Sequence, residues 1–192
     1  MKQILALLAL MASTHALADW LVDPDGSYLG FASVKNDLIA ENHSFTDISG
    51  TVRRSGEAEI VVSLASVETL IPIRNERMQA MLFEVETYPN ATITSTIDVD
   101  DFTALEAGQS ITRDIRLSID LHGAQISRNA KVKVTRSADT VFEVSSLGPI
   151  LVHASQFALA DGVEALRNIA GLQSIELMVP ITFDLRLVAE TN

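Results

Sequence analysis

Apolar and polar residues alternate along most of this chain with a period of two. In the segment from Ile111 to His122, Ile115, Leu117, Ile119 and Leu121 share one face, and Asp114, Arg116, Ser118, Asp120 and His122 share the other. The last segment is longer, with Ile175, Leu177, Val179, Ile181, Phe183, Leu185 and Leu187 in phase opposite Glu176, Thr182, Asp184 and Arg186. Shorter stretches repeat the pattern: Ser27-Leu29-Phe31, Ala58-Ile60-Val62-Leu64, Ala91-Ile93-Ser95-Ile97, Ala130-Val132-Val134 and Phe142-Val144. Successive side chains leave a β-strand on opposite sides, so this alternation marks strands with one apolar and one wet face. Seven or eight such strands with short polar connections predict an antiparallel barrel or sandwich, and periodicity does not choose between the two. Pro180 lacks the N–H that a ladder needs, which predicts a bulge or a sheet edge there.

Two segments break the rhythm. Between Arg74 and Phe83, Met78, Met81 and Leu82 fall at the spacing of one amphipathic helical turn. From Asp161 to Leu172, Val163, Leu166, Ile169 and Ala170 form an apolar stripe. Asp161 and Glu164 have the spacing of a capping box, and Gly171 ends the pattern. These helices are expected to close the ends of a barrel.

The first eighteen residues belong to a different category. Lys2, the apolar run Ile4 to Met11 and the small-x-small sequence Ala16-Leu17-Ala18 have the form of a cleavable export signal. The apolar run is shorter than the roughly 20 residues needed to span a bilayer. Residues 19–192 then form a single domain, exported, with no stable membrane insertion expected. The chain has no cysteine, so neither disulfides nor lipid attachment to a cysteine can serve it. Lys2 is one of the 14 basic residues and all 25 acidic ones follow the signal, so the mature charge is about −12. A field of that sign repels phosphate backbones and excludes nucleic acid as an expected partner.

Candidate chemistry is sparse. After the signal, His43, His122 and His153 are the only histidines, with no metal-ligand spacing among them, and each reads as a surface or loop residue. No serine sits in G-x-S-x-G, and there is no glycine-rich phosphate loop. Asp98, Asp100 and Asp101 lack the glycine and distal glutamate of a calcium loop and read as a charged loop. No catalytic residue, metal site or cofactor is therefore expected, and the chain does not read as an enzyme. What remains is the barrel interior. Aromatic residues make up only 5% of the chain, and many inward candidates are small or medium, such as Ala58, Val62, Ala91, Ile93, Ala130 and Val132. An interior of that kind suits a tunnel for one slender ligand and suits a tight aliphatic core equally well.

The order of features from His43 to Ser95 resembles the YceI-like family of polyisoprenoid-binding, lipocalin-like periplasmic proteins. Phe45 precedes Gly50, Ser66-Val67-Glu68-Thr69 ends a strand, Phe83 closes a short helix, and Tyr88-Pro89 leads into the next strand. Trp20 and Asp23 match the family's opening, Leu121-His122-Gly123 a strand-ending Leu-x-Gly, and Ser155-Gln156-Phe157 a Ser-Asp-Phe-Gly stretch. The chain departs from the pattern at Ile93, where many members have Phe, and at Ala154 and Gln156, which replace Arg and Asp. No Gly follows Phe157 directly, and the helix from Asp161 to Leu172 is an elaboration.

The resemblance implies an all-β, eight-stranded antiparallel barrel in the periplasm. It also implies a non-enzymatic binding protein whose partner is a small-molecule lipid, an isoprenoid, quinone-like or other amphiphilic molecule held in the apolar interior. By that analogy Phe31, Phe45, Met78, Leu82, Phe83, Ile119, Phe142 and Phe157 line the cavity, and Arg74, Asn75 and Arg77 meet a headgroup at the mouth. The alternative is a structural or partner-binding β-domain with a packed interior, working through the Leu38 to Asp47 loop or the late helix. Oligomeric state stays open at this point, since an exposed apolar edge strand could pair two barrels into a homodimer.

Overall fold

The computed structural model describes residues 19–190, so the export signal expected over residues 1–18 lies outside the described residues. Twelve strand segments form one antiparallel sheet: β1 (Trp20–Val22), β2 (Tyr28–Lys35), β3 (Ile39–Phe45), β4 (Ile48–Val52), β5 (Glu57–Ser63), β6 (Val67–Glu68), β7 (Asn90–Thr96), β8 (Ser110–Leu121), β9 (Ala124–Ala138), β10 (Val141–Ser146), β11 (Ile150–His153) and β12 (Met178–Ala189). Four pairs of segments are single strands interrupted by a turn: β1 with β2, β3 with β4, β5 with β6, and β10 with β11. The result is a closed barrel of eight antiparallel strands. Each strand pairs with its neighbours in sequence, and the last returns to the first through Trp20 opposite Ala189 and Phe31 opposite Ile181.

Closure follows from the alternation. Each strand has one apolar face, and rolling the sheet on itself buries all of those faces while leaving no full-length edge among the described residues. The phases read from sequence are the observed ones. Leu117 and Ile119 of β8, Val132 and Val134 of β9, and Leu185 and Leu187 of β12 are all buried. The β8–β9 hairpin turns on two residues, His122 (φ 52°) and Gly123 (φ 75°), the conformation that matches the twist of the flanking strands. Pro180 lies opposite Leu151 of β11, just where β12 parts from β2, whose pairing begins at Ile181. Its missing N–H therefore falls on a local edge.

Three helices cover the ends: α1 (Pro72–Arg77), α2 (Asp100–Thr103) and α3 (Ala160–Ala170). The first continues as a π-turn over Met78–Leu82, closed by the Phe83 N–H donating to the Met78 carbonyl at 2.9 Å. It packs with α3 over one end. Gly162 of α3 lies so close to the π-turn that a Cβ there would come within 2.7 Å of the Met81 carbonyl oxygen. The other end carries α2, where a charged loop was expected. Asp101 there accepts from Arg113 at 2.7 Å, which holds its carboxyl below the usual range. Arg136 ties α2 down by donating to the carbonyls of Thr103, Leu105 and Asp139 at 3.3, 2.7 and 2.8 Å.

The capping box expected at Asp161 does not form. Leu159 caps α3 without a side-chain hydrogen bond, and Glu164 instead accepts from Arg167 Nε at 2.8 Å. Gly171 does end the helix, in the left-handed conformation (φ 63°). The Leu38 to Asp47 stretch, expected as a loop, is mostly strand β3.

Candidate functional site

The barrel encloses a cavity of about 580 Å³ whose walls are almost wholly apolar. Every strand of the ring contributes inward residues at spacing two. Leu29 and Phe31 come from β2, Ala58, Ile60 and Val62 from β5, Ile115, Leu117 and Ile119 from β8, and Val179, Ile181, Phe183, Leu185 and Leu187 from β12. Phe31, Phe45, Met78, Leu82, Phe83, Ile119, Phe142 and Phe157, the eight residues singled out from sequence, all line it. Phe31, Phe45 and Phe83 form a continuous aromatic wall, with ring centroids 5.5 and 5.8 Å apart. Trp20 meets Phe142 edge to face at 5.8 Å near the α2 end, where Val99 and Phe102 complete the lining. The stripe on α3, Val163, Leu166, Ile169 and Ala170, faces the cavity from the opposite end.

The walls turn polar at the α1–α3 end. Glu41 of β3 accepts from Lys35 Nζ at 2.7 Å and from Arg74 at 2.9 Å. The hydrogen bond from Lys35, with that from Arg74, holds the Glu41 carboxyl below the ordinary glutamate range. Arg74 also donates to the Thr69 carbonyl at 2.6 Å. The Ser66 to Thr69 strand end therefore braces the mouth, because Thr69 is buried and offers its carbonyl to Arg74 and its N–H to Asn75. Of the three expected headgroup residues, Arg74 and Arg77 line the cavity. Asn75 is engaged elsewhere, accepting from the Thr69 N–H at 2.9 Å and donating to Glu68 at 3.2 Å.

The histidines correct the sequence reading. His43 is 5% exposed, not a surface residue, and faces the cavity from β3. Its Nε2 lies 2.8 Å from Ser33 Oγ and its ring packs on Phe31 at 5.1 Å. Burial, with the nearby Arg74 charge, pushes its pKa below the ordinary imidazole value. The signal for it was available: His43 and Phe45 stand two apart, so a strand there puts both on one face. His122 is also largely covered, its ring 4.3 Å from Tyr88. His153 caps a 3₁₀ turn over Ala154–Phe157, together with Gln156, whose side chain accepts from the His153 N–H at 3.1 Å. Gln156 thus fills the capping position where the family pattern has Asp. Ala158 takes the left-handed backbone (φ 56°) at the place of the missing glycine.

Among the described residues no cluster of three or more His, Asp or Glu side chains could hold a metal ion. None of the described helices is long and apolar enough to cross a membrane.

A closed meander barrel around one long apolar chamber, ion-paired at its mouth, defines a lipocalin-like β-barrel. Within that class the chain belongs to the YceI-like family, whose domain profile matches residues 20–187. Among solved structures it is similar to a polyisoprenoid binding domain from Saccharophagus degradans, at 36% identity and a TM-score of 0.87, over 91% of this chain and 99% of that one. Burkholderia cenocepacia BcnA shares the fold at 19% identity and a TM-score of 0.67, over 86% and 98% of the two chains. The Campylobacter jejuni YCEI protein does so at 13% identity and a TM-score of 0.52, over 78% and 85%. A comparison with curated protein sequences returned no match.

Proposed function

We propose that this protein is an exported, periplasmic carrier that holds an isoprenoid, quinone-like or other amphiphilic lipid inside its barrel, without chemical transformation. The observation that carries this reading is the cavity itself. An interior of about 580 Å³ walled by Phe, Leu, Ile and Val has no structural use, because void space forfeits dispersion contacts and weakens a core. A hydrocarbon chain restores those contacts at about 0.8 kcal/mol for each CH₂ removed from water. The polyisoprenoid binding domain that is 36% identical supports the same ligand class. The packed β-domain offered as the alternative loses its premise, since the interior is open. Among the described residues the closed ring leaves no full-length free edge strand.

The tail lies among Phe31, Phe45, Phe83, Ile119, Phe142 and Phe157, and the polar end faces the mouth near Arg74 and Arg77. Native mass spectrometry of protein purified from its own periplasm, followed by organic extraction, tests this. A stoichiometric co-purifying lipid is the expected result. An empty protein that also refuses added polyprenyl lipids would overturn it.

A further inference from the structure

Among the described residues of the chamber wall, His43 at Nδ1 and Arg74 at Nε each keep a buried nitrogen without a hydrogen-bond partner, and Arg74 is otherwise held by Glu41 and the Thr69 carbonyl. His43 is buried among aromatic residues, yet its Nδ1 has no hydrogen-bond partner. A buried polar atom left unpaired costs about 1–3 kcal/mol, and native structures rarely keep one without a reason. We propose that His43 and Ser33 form a headgroup site for an uncharged ligand oxygen, a carbonyl or a hydroxyl, set just inside the ion-paired mouth. This inference rests on the reading of the cavity as a lipid chamber.

Position and chemistry both point there. Along β2 the inward residues run Leu29, Phe31, Ser33, Lys35, and along β3 they run Phe45, His43, Glu41. Polarity therefore rises in steps from aromatic wall, through the His43–Ser33 pair, to the Lys35–Glu41–Arg74 ion pairs. Phe31 against the imidazole fixes the ring, and Ser33 Oγ at 2.8 Å engages Nε2.

The serine hydroxyl either donates or accepts. When it donates to Nε2, Nδ1 carries the proton and donates to a ligand carbonyl. When Nε2–H donates to Ser33, Nδ1 accepts from a ligand hydroxyl. One site thus accommodates a ketone or quinone and the matching alcohol or quinol. An anionic head is disfavoured beside the imidazole, because the cations that could neutralise it, Arg77 and the Lys35–Glu41–Arg74 cluster, belong to the mouth, and a charge drawn in past them to His43 would lose its water.

The test uses the delipidated mature protein and four probes with one tail: a geranylgeranyl benzoquinone, geranylgeraniol, the corresponding hydrocarbon, and geranylgeranyl diphosphate. The quinone and the alcohol should each bind about fivefold or more tightly than the hydrocarbon, the effect of one net hydrogen bond. In His43→Leu and Ser33→Ala that advantage should vanish, with hydrocarbon affinity unchanged. In the wild type, the ¹⁵N resonance of His43 Nδ1 should shift with quinone and alcohol and stay fixed with hydrocarbon, a readout that needs no variant. Equal affinity for the quinone, the alcohol and the hydrocarbon, a still Nδ1 resonance, or diphosphate as the tightest probe would overturn the headgroup site while leaving the chamber standing. Failure of every probe to bind would remove the chamber and the site together.

Discussion

Substituting Ala91 by Phe should shorten the chamber in a way that ligands of different length report separately. Ala91 lies on β7 opposite Val62 of β5, is 8% exposed, and faces the cavity. At roughly 30 Å³ for a methylene-sized group, the cavity of about 580 Å³ holds on the order of 20 carbons, or about four isoprene units. A phenyl ring at position 91 occupies the space of about six of them. At about 0.8 kcal/mol for each carbon displaced, the ceiling on the loss is about 5 kcal/mol. Contacts between the ring and the remaining tail offset part of this. A measured loss of about 2 kcal/mol or more, roughly 30-fold in Kd, is expected for a tail that fills the chamber.

The assay is isothermal titration of delipidated protein with geranyl, farnesyl and geranylgeranyl alcohols. In the wild type, affinity should climb with each isoprene unit and level off near the fourth. In Ala91→Phe, geranyl should bind as before while geranylgeranyl loses its advantage. The melting temperature should hold or rise, because filling a void does not weaken a core. Equal losses for all three tails would mean that the ring disturbs the barrel rather than the chamber. An unchanged geranylgeranyl affinity would refute the placement of the tail altogether.

Three other outcomes follow from particular contacts. Ala158→Gly should stabilise the protein by about 0.5–1 kcal/mol in urea denaturation, since Ala158 holds a left-handed φ of 56° that glycine adopts without strain. Arg136→Met should cost about 2–4 kcal/mol and speed amide exchange in α2, because three carbonyls on Thr103, Leu105 and Asp139 lose a charged donor. Because the folded pKa of His43 is depressed, the unfolded chain takes up its proton first. The stability that neutral His43 carries is present above about pH 6.5 and is lost as pH falls through the folded value. Urea midpoints of the wild type should therefore drop relative to His43→Gln below that pH, and parallel curves would count against a buried neutral imidazole.

The sequence by itself determined the strands, their phases and most of the chamber wall. Alternation is a local property, so Ile115, Leu117, Ile119 and Leu121 declare a shared face without reference to the rest of the chain. Once each strand has one apolar face, the eight singled-out lining residues follow from family order and phase. The late helix was legible from its stripe and from Gly171, but its N-terminal cap was not, because Glu164 had a choice between the backbone and Arg167 and took the arginine.

Only the tertiary structure decided whether the interior is full or open. That volume is a small difference between the barrel's girth and the summed size of its inward side chains, and no local pattern encodes it. The structure also decided the polarity of the mouth. Arg74 reaches Glu41 across 33 positions, a meeting set by strand register and by where α1 lands on the rim. His43 was misread for the same reason. A lone histidine in a polar stretch looks exposed until β2 and β3 pair and turn it inward against Phe31.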